Sequence, residues 1–384
     1  MTIVETTRPI TGGVDTHAEV HVAAAVDSNG GVLGVESFAT TPAGFAELHA
    51  WLARFGLLER VGVEGTGAYG AGLARFLSSR DLVVIEVDRP NRQLRRKAGK
   101  SDTIDSIEAA RAALSGRASG IAKSADGDVE AIRALLVARR SARDVRIKYL
   151  NQIRHLGFTA PDDLRERFRD VHRDHLARTA ASLRPARSAG AVMYATKLAI
   201  QTLGRRVLDL ETDTARLDAL LDELVARTAP SLLSVYGVGT YTAAVLLVAA
   251  GDNPHRLRNE AAFAHLCGVA PLKASSGKVD RHRLNPGGNR HANHALWRIV
   301  FTRMSSDERT REYVARRTAE GRSTREVMRV LKRYVAREIY PHLATTRRSG
   351  AAGLTRECPD TNRLSSERTV GLLLPNTFGT RMAS

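Results

Sequence analysis

With two cysteines in 384 residues, Cys267 and Cys358, the chain can build neither a disulfide framework nor a cysteine-ligated zinc site. Aromatic residues are scarce at 5%. Long apolar runs are missing: the longest, Tyr241 to Ala250, falls far short of the ~20 residues needed to cross a bilayer. The opening MTIVETTRPITGG has neither the basic start nor the apolar stretch of a signal peptide. Acid is in short supply too, with 41 Asp+Glu against 58 Lys+Arg, a formal net charge of +17. These shortages predict a soluble cytoplasmic protein with no membrane partner. The 43% hydrophobic and 26% charged residues are ordinary globular values, so the chain should fold into two or three domains. The positive excess calls for a polyanionic partner, most simply nucleic acid.

That excess is segregated. Residues 1–88 hold 5 Lys/Arg and 11 Asp/Glu, whereas residues 273–348 hold 19 Lys/Arg and 7 Asp/Glu. A run containing Arg92, Arg95, Arg96, Lys97 and Lys100 follows the acidic segment and carries no acid. Basic segments bind phosphate through charge and counterion release. An acidic module beside them would repel a polyanion unless its carboxylates hold cations.

The pattern of the first 127 residues predicts the order β-β-β-α-β-α-β-α. Asn29-Gly30 marks a hairpin, Thr41-Pro42 opens an amphipathic helix, and Leu82 to Val87 has the look of a parallel strand. That order is ribonuclease H-like, an α/β arrangement. Residues 128–228 read as helical. There Leu203, Val207, Leu210, Thr214, Leu217, Leu221 and Leu224 form a heptad seam, suited to a coiled coil or to a helix in a local bundle. Residues 229–344 read as a second globular region, mostly α, and 345–384 as a disordered tail.

Four carboxylates fall where a metal site would need them. Asp15 ends the first strand, Glu64 ends the fourth before Gly65-Thr-Gly67, and Asp102 and Asp105 share the first turn of a helix. In this fold the first and fourth strands are neighbours and the helix crosses them, so the four acids can converge. Such oxygen donors suit Mg²⁺ (or Mn²⁺), and a metal pair can assist displacement at phosphorus. Duller roles stand beside these: Asp102 as a helix cap next to Ser101, Glu64 as a turn residue, Thr16 and His17 as structural neighbours.

A second constellation spans Ser275-Ser276-Gly277-Lys278, Arg281-His282-Arg283 and Pro286-Gly287-Gly288-Asn289-Arg290. Lys278, Arg281, Arg283 and Arg290 offer phosphate contacts. On residue chemistry alone the serines read as a loop, since a serine hydroxyl needs activation to attack. A third, Gly237-Val-Gly239 before an apolar helix, reads either as a helix-hairpin-helix whose amides meet phosphate or as a tight turn between helices.

These residues resemble the DEDD transposases of bacterial insertion sequences, the group related to the Piv DNA invertase that includes the bridge-RNA-guided recombinases. The likeness covers about residues 10–345. It is carried by Gly13-Val-Asp15-Thr-His17, Val63-Glu64-Gly-Thr-Gly67-Ala-Tyr69, Gly99-Lys100-Ser101-Asp102-Thr-Ile-Asp105, Leu266-Cys-Gly268-Val-Ala-Pro271, Ser275-Ser276-Gly277-Lys278, Gly287-Gly288-Asn289-Arg290 and Glu320-Gly-Arg322-Ser323. The resemblance implies a RuvC-type domain over 10–127 whose metal-binding acids are Asp15, Glu64, Asp102 and Asp105. It implies a helical, coiled-coil middle that serves dimerisation. It also implies a C-terminal transposase domain in which Ser276, or its neighbour Ser275, attacks DNA phosphate and becomes joined to it. DNA, a guide RNA encoded by the element, and further copies of the chain in a dimer or tetramer are the implied partners. One departure is local: where many relatives carry Leu-Arg after the Gly-Asn, this chain has Ala292-Asn293.

Overall fold

The computed structural model describes residues 8–87, 101–123, 127–251, 257–273 and 282–352. Strands β1 (Pro9–Thr16), β2 (Val20–Val26) and β3 (Val32–Ala39) form an antiparallel meander. Its second turn is tied by Asp27, whose Oδ1 accepts from the backbone N–H of Asn29 at 2.8 Å and of Gly31 at 2.9 Å. Thr41 caps α1 (Pro42–Ala53) by accepting from the Gly44 N–H at 3.1 Å, with Pro42 in the first turn where no donor is needed. β4 (Leu57–Glu64), α2 (Ala71–Ser78), β5 (Val83–Val87), α3 (Asp102–Leu114) and the short β6 (Gly120–Ile121) complete the unit. The expected element order is present. Among the described residues the six-stranded sheet runs β3-β2-β1-β4-β5-β6, with β1 parallel to β4 at its centre.

Two glycines set the distance between α3 and the sheet. A methyl group on Gly13 would lie 2.2 Å from the Ala110 nitrogen, and one on Gly62 2.4 Å from the Ala109 carbonyl oxygen. No side chain fits there, so the helix backbone rests directly on β1 and β4. The opposite sheet face is covered by Leu48, Leu52, Leu73 and Leu77, all fully buried. Each such side chain contributes roughly 1.5–3 kcal/mol on leaving water.

The helical remainder begins with α4 (Asp128–Phe158), continues through α5 (Asp162–Arg169) and α6 (Leu176–Ala181), and returns along α7 (Ala191–Thr228). α4 and α7 run antiparallel. Ion pairs rung the hairpin: Arg227 to Asp128 at 2.9 Å, Arg139 to Asp218 at 3.0 Å and Arg146 to Glu211 at 2.8 Å. The heptad seam lies on this contact, Val207 and Leu221 buried and the remaining five half-buried. Its partner is therefore α4 of the same chain. The hairpin's far end carries a small core of Leu150, Ile153, Leu164, Phe168, Leu176 and Ile200.

The near end enters a larger core. Ile132 and Leu136 of α4 and Leu221 and Val225 of α7 pack with α8 (Pro230–Leu233), α9 (Thr240–Ala250), α10 (Glu260–Leu266), α11 (Arg290–Ser306), α12 (Glu308–Ala319) and α13 (Thr324–Ala352). A two-stranded ribbon, β7 (Leu272–Lys273) with β8 (His282–Arg283), precedes α11. α13 corrects one expectation: residues 345–352, assigned from sequence to a disordered tail, continue the helix. Residues 353–384 lie outside the described residues. No described helix is long and apolar enough to cross a membrane.

Candidate metal and nucleic-acid site

Asp15 sits next to last in β1, with a side chain 8% exposed. The pairing of β1 with β4 ends at Val14 and Val63, so Asp15 and Glu64 stand one step further along adjacent strands, on the face that carries α3. Thr16 locks this end by donating from Oγ1 to the Glu64 carbonyl at 2.7 Å. Gly65, at φ +73°, then turns the chain away in a conformation that favours glycine. From α3, Asp105 is buried at 2% exposure among the small residues that face the sheet. Asp102 is more open, its side chain 47% exposed. Ser101 is the N-cap residue and no side chain caps the helix there, so Asp102 is not spent as a cap.

His17 ties the strand to the helix. Its Nε2 lies 3.2 Å from Asp15 Oδ2 and 3.4 Å from Asp102 Oδ2. Ligand atoms of Asp15, His17 and Asp102 all fall within 4.8 Å of one another. Asp105 and Glu64 do not join that tight group, although Asp105 is close enough to act on Asp15 through its charge. Burial pushes the Asp15 carboxyl above its usual range; His17 works against this, while Asp105 and Asp102 add to it. A buried carboxylate with two like charges beside it gains most from a cation. The donor set, carboxylate oxygens and one imidazole nitrogen, fits a divalent metal.

The role of His17 was understated by sequence, where it read as structural. Its support was not visible there at all. His21, fully buried in β2, accepts the His17 backbone N–H on Nδ1 at 3.3 Å and stacks on Phe45 with centroids 5.6 Å apart. Burial, and then His17, lower the His21 pKa, which keeps the ring neutral and able to accept. The only sequence signal is the i, i+4 pair of histidines on either side of a turn.

At the other constellation, Ser275, Ser276, Lys278 and Arg281 lie outside the described residues, as do Arg92, Arg95, Arg96, Lys97 and Lys100. The ribbon flanking the serines pairs Lys273 with His282, and Arg283 is exposed. Its base is built from interlocked glycines and amides. A methyl group on Gly288 would lie 2.3 Å from the Gly268 Cα, Asn289 caps α11 at 3.0 Å, and Arg290 beside it is exposed. Asn293 donates to the Cys267 carbonyl at 2.8 Å and accepts from Lys332 at 2.9 Å. The departure noted in the sequence is thus a framework residue. Gly237, at φ +79°, and Gly239 shape the turn into α9, which Arg303 holds from behind by donating to the Tyr236 carbonyl at 2.9 Å.

Two family models match the chain. One, a transposase model of the DEDD, IS110 kind, covers residues 12–156 and takes in all four acids. The other, described as the transposase IS116/IS110/IS902 family, covers residues 229–315 and takes in the serine motif and its glycine base. Both matched segments are similar to transposases of the IS110 type. A similar relative is the insertion element IS110 uncharacterized 43.6 kDa protein of Streptomyces coelicolor, 34% identical over 124 residues. The matched stretch spans 32% of this chain and 30% of that protein, under a third of the relative's length. The Asp15–His17–Asp102 cluster lies inside one matched segment and the glycine-built ribbon base inside the other.

Proposed function

We propose that the chain is a DNA transposase or recombinase that cuts and rejoins strands through a serine. The observation that carries this is the convergence of Asp15 and Asp102 on one point, with Asp105 buried beside them, in a chain similar to IS110-type transposases. The strand order supports a RuvC-type reading of residues 10–127, followed by a helical middle at 128–228 and a transposase domain at 229–344. Asp15, Asp102 and Asp105, with Glu64 across the strand, would hold Mg²⁺ or Mn²⁺. When bound, such a metal withdraws charge from a phosphate oxygen and lowers the barrier to displacement.

The Ser276 hydroxyl then attacks phosphorus. A seryl phosphodiester forms, the bond to one deoxyribose oxygen breaks, and the serine proton ends on that leaving hydroxyl. Attack by a second DNA hydroxyl reverses the exchange and rejoins the strand. Ser275 is the alternative nucleophile. Lys278, Arg281, Arg283 and Arg290, with the basic run Arg92 to Lys100 and the amides at Gly237 and Gly239, would steady the backbone phosphates. A guide RNA, and a dimer or tetramer that shares acids and serine between copies, complete the proposal, which places the protein with DNA in the bacterial cytoplasm.

A plasmid excision and insertion assay tests it. Asp102→Asn should abolish both reactions and Ser276→Ala the covalent adduct. An adduct lost only in Ser275→Ala moves the nucleophile by one residue. Free cut ends with no adduct in the parent would mean a junction nuclease using water. DNA binding with no cleavage at all, in parent and variants alike, would mean a binding protein without catalysis.

A further inference from the structure

The chain is poor in aromatics, yet three of its rings are stacked in a row on the outside of one helix. On α11, His294 and Trp297 have centroids 5.4 Å apart at 28°, and Trp297 and Phe301 5.3 Å apart at 23°. The spacing of three and four residues places them on one face. The other face, with Leu296, Ile299 and Val300, is buried in the C-terminal core. Trp297 is 36% exposed and Phe301 56%, whereas the other tryptophan, Trp51, is 5% exposed. Singly scattered apolar side chains are ordinary on this surface, but three rings stacked along one helix form a contiguous patch, the kind of surface that interaction sites use.

Charge on the same side says what covers the row. Arg140 and Arg143 of α4 lie near enough to depress His291 and His294, after burial, and Arg298 adds to the effect on His294. On α4, Arg139 and Arg146 are spent on Asp218 and Glu211 across the hairpin. Arg140, Arg143 and Arg298 make no ion pair among the described residues, and Arg140 keeps a buried Nε with no hydrogen-bond partner. Neutral rings flanked by unspent guanidinium groups match a ligand with flat apolar faces and a negative backbone. A second copy of the chain meeting this face would bring the same arginines against themselves.

We propose that the His294–Trp297–Phe301 face of α11, with Arg140, Arg143 and Arg298, binds a single-stranded nucleic acid by stacking its unpaired bases. A duplex hides its base faces and presents edges and backbone, so this surface selects opened strands. The inference rests on the transposase reading only for the presence of nucleic acid, and its test needs no catalysis.

The test measures fluorescence anisotropy of labelled DNA and RNA oligonucleotides of one mixed sequence, single-stranded and duplex, in a chelator and on the full chain carrying Asp102→Asn. Trp297→Ala should weaken single-strand binding roughly tenfold, within the range known for base–aromatic stacking, and duplex binding less than about twofold. Trp297→Phe should restore most of the loss, and Arg143→Gln should lower the salt slope by roughly 0.7. Tryptophan fluorescence should be quenched by the single strand alone. A preference between the DNA and RNA arms identifies the source of the strand. Unchanged single-strand affinity in Trp297→Ala overturns the proposal, as does an equal loss on duplex. A change in sedimenting mass in that variant also overturns it, making the face a contact between copies. Loss of excision in Asp102→Asn bears on catalysis alone.

Discussion

The contact of α3 with the sheet gives a prediction that joins stability to chemistry. In Gly13→Ala the added methyl group would sit 2.2 Å from the Ala110 nitrogen, 2.3 Å from the Ser106 carbonyl oxygen and 2.6 Å from the Ala110 Cβ. Two of these three atoms belong to helix backbone, which has no rotamer to yield. Ordinary contact near 3.4 Å requires α3 to rise by roughly 1 Å. Overpacking of this kind costs ~1–3 kcal/mol, and rigid backbone puts the cost at the upper end. At ~2–4 °C per kcal/mol the melting temperature should fall by roughly 6–12 °C. The same lift carries Asp102 and Asp105 away from Asp15, and a misplacement of ~1 Å at a reacting centre is worth about a hundredfold in rate. Thermal melting and plasmid excision at a permissive temperature read the two effects separately. Gly67→Ala, where a methyl group meets nothing within 4 Å, is the stability control and should shift it by no more than about 0.5 kcal/mol. If Gly13→Ala melts and excises like its parent, α3 is not held by backbone contact and the reasoning about acid placement fails with it.

The acidic cluster predicts metal-dependent stability: Mg²⁺ at about 100 times its Kd should add ~2.7 kcal/mol, read as a rise in Tm. Asp102→Asn should erase most of that rise while raising the Tm of the metal-free protein, because one of the charges opposing Asp15 is gone. His21 gives a pH dependence of known sign. Its folded pKa lies below the ordinary ~6.5, so the unfolded chain binds the proton more readily, and stability should decline as pH falls from about 6.5 through the lowered folded value. Melting curves of His21→Phe, which keeps an aromatic ring against Phe45 but cannot titrate, should be flatter over that window. Asn293→Ala leaves the Cys267 carbonyl and half-buried Lys332 without a side-chain partner and should cost ~1–3 kcal/mol in urea unfolding.

The α/β half was legible because its signals are local. Asn29-Gly30 fixes a turn, Thr41-Pro42 opens a helix, and alternating or unbroken apolar runs mark edge and central strands. The placement of Asp15 and Glu64 on neighbouring strands followed from the element order and is seen in the register of β1 with β4. His17 and His21 escaped because a histidine's meaning depends on what the fold brings across a turn, and spacing alone does not carry it. The heptad seam was read correctly as a seam, but its partner α4 was invisible: Arg139, Arg146 and Asp128 acquire their pairing only when 31 residues of helix lie antiparallel to it. The aromatic row failed for the opposite reason. A low overall aromatic content says nothing about three rings gathered on one face.

The α4–α7 hairpin has a mechanical consequence. At ~1.5 Å per residue its 31-residue arm reaches about 45 Å, and α4 starts at the same foot where α7 ends. A lever anchored in this way transmits a push at its tip to the foot as torque, through Leu136 and Leu221, without threading any signal through the carboxylates. Clipping the loops at the tip would therefore leave both rails seated, while a flexible insertion halfway along either rail would uncouple the tip from everything below it.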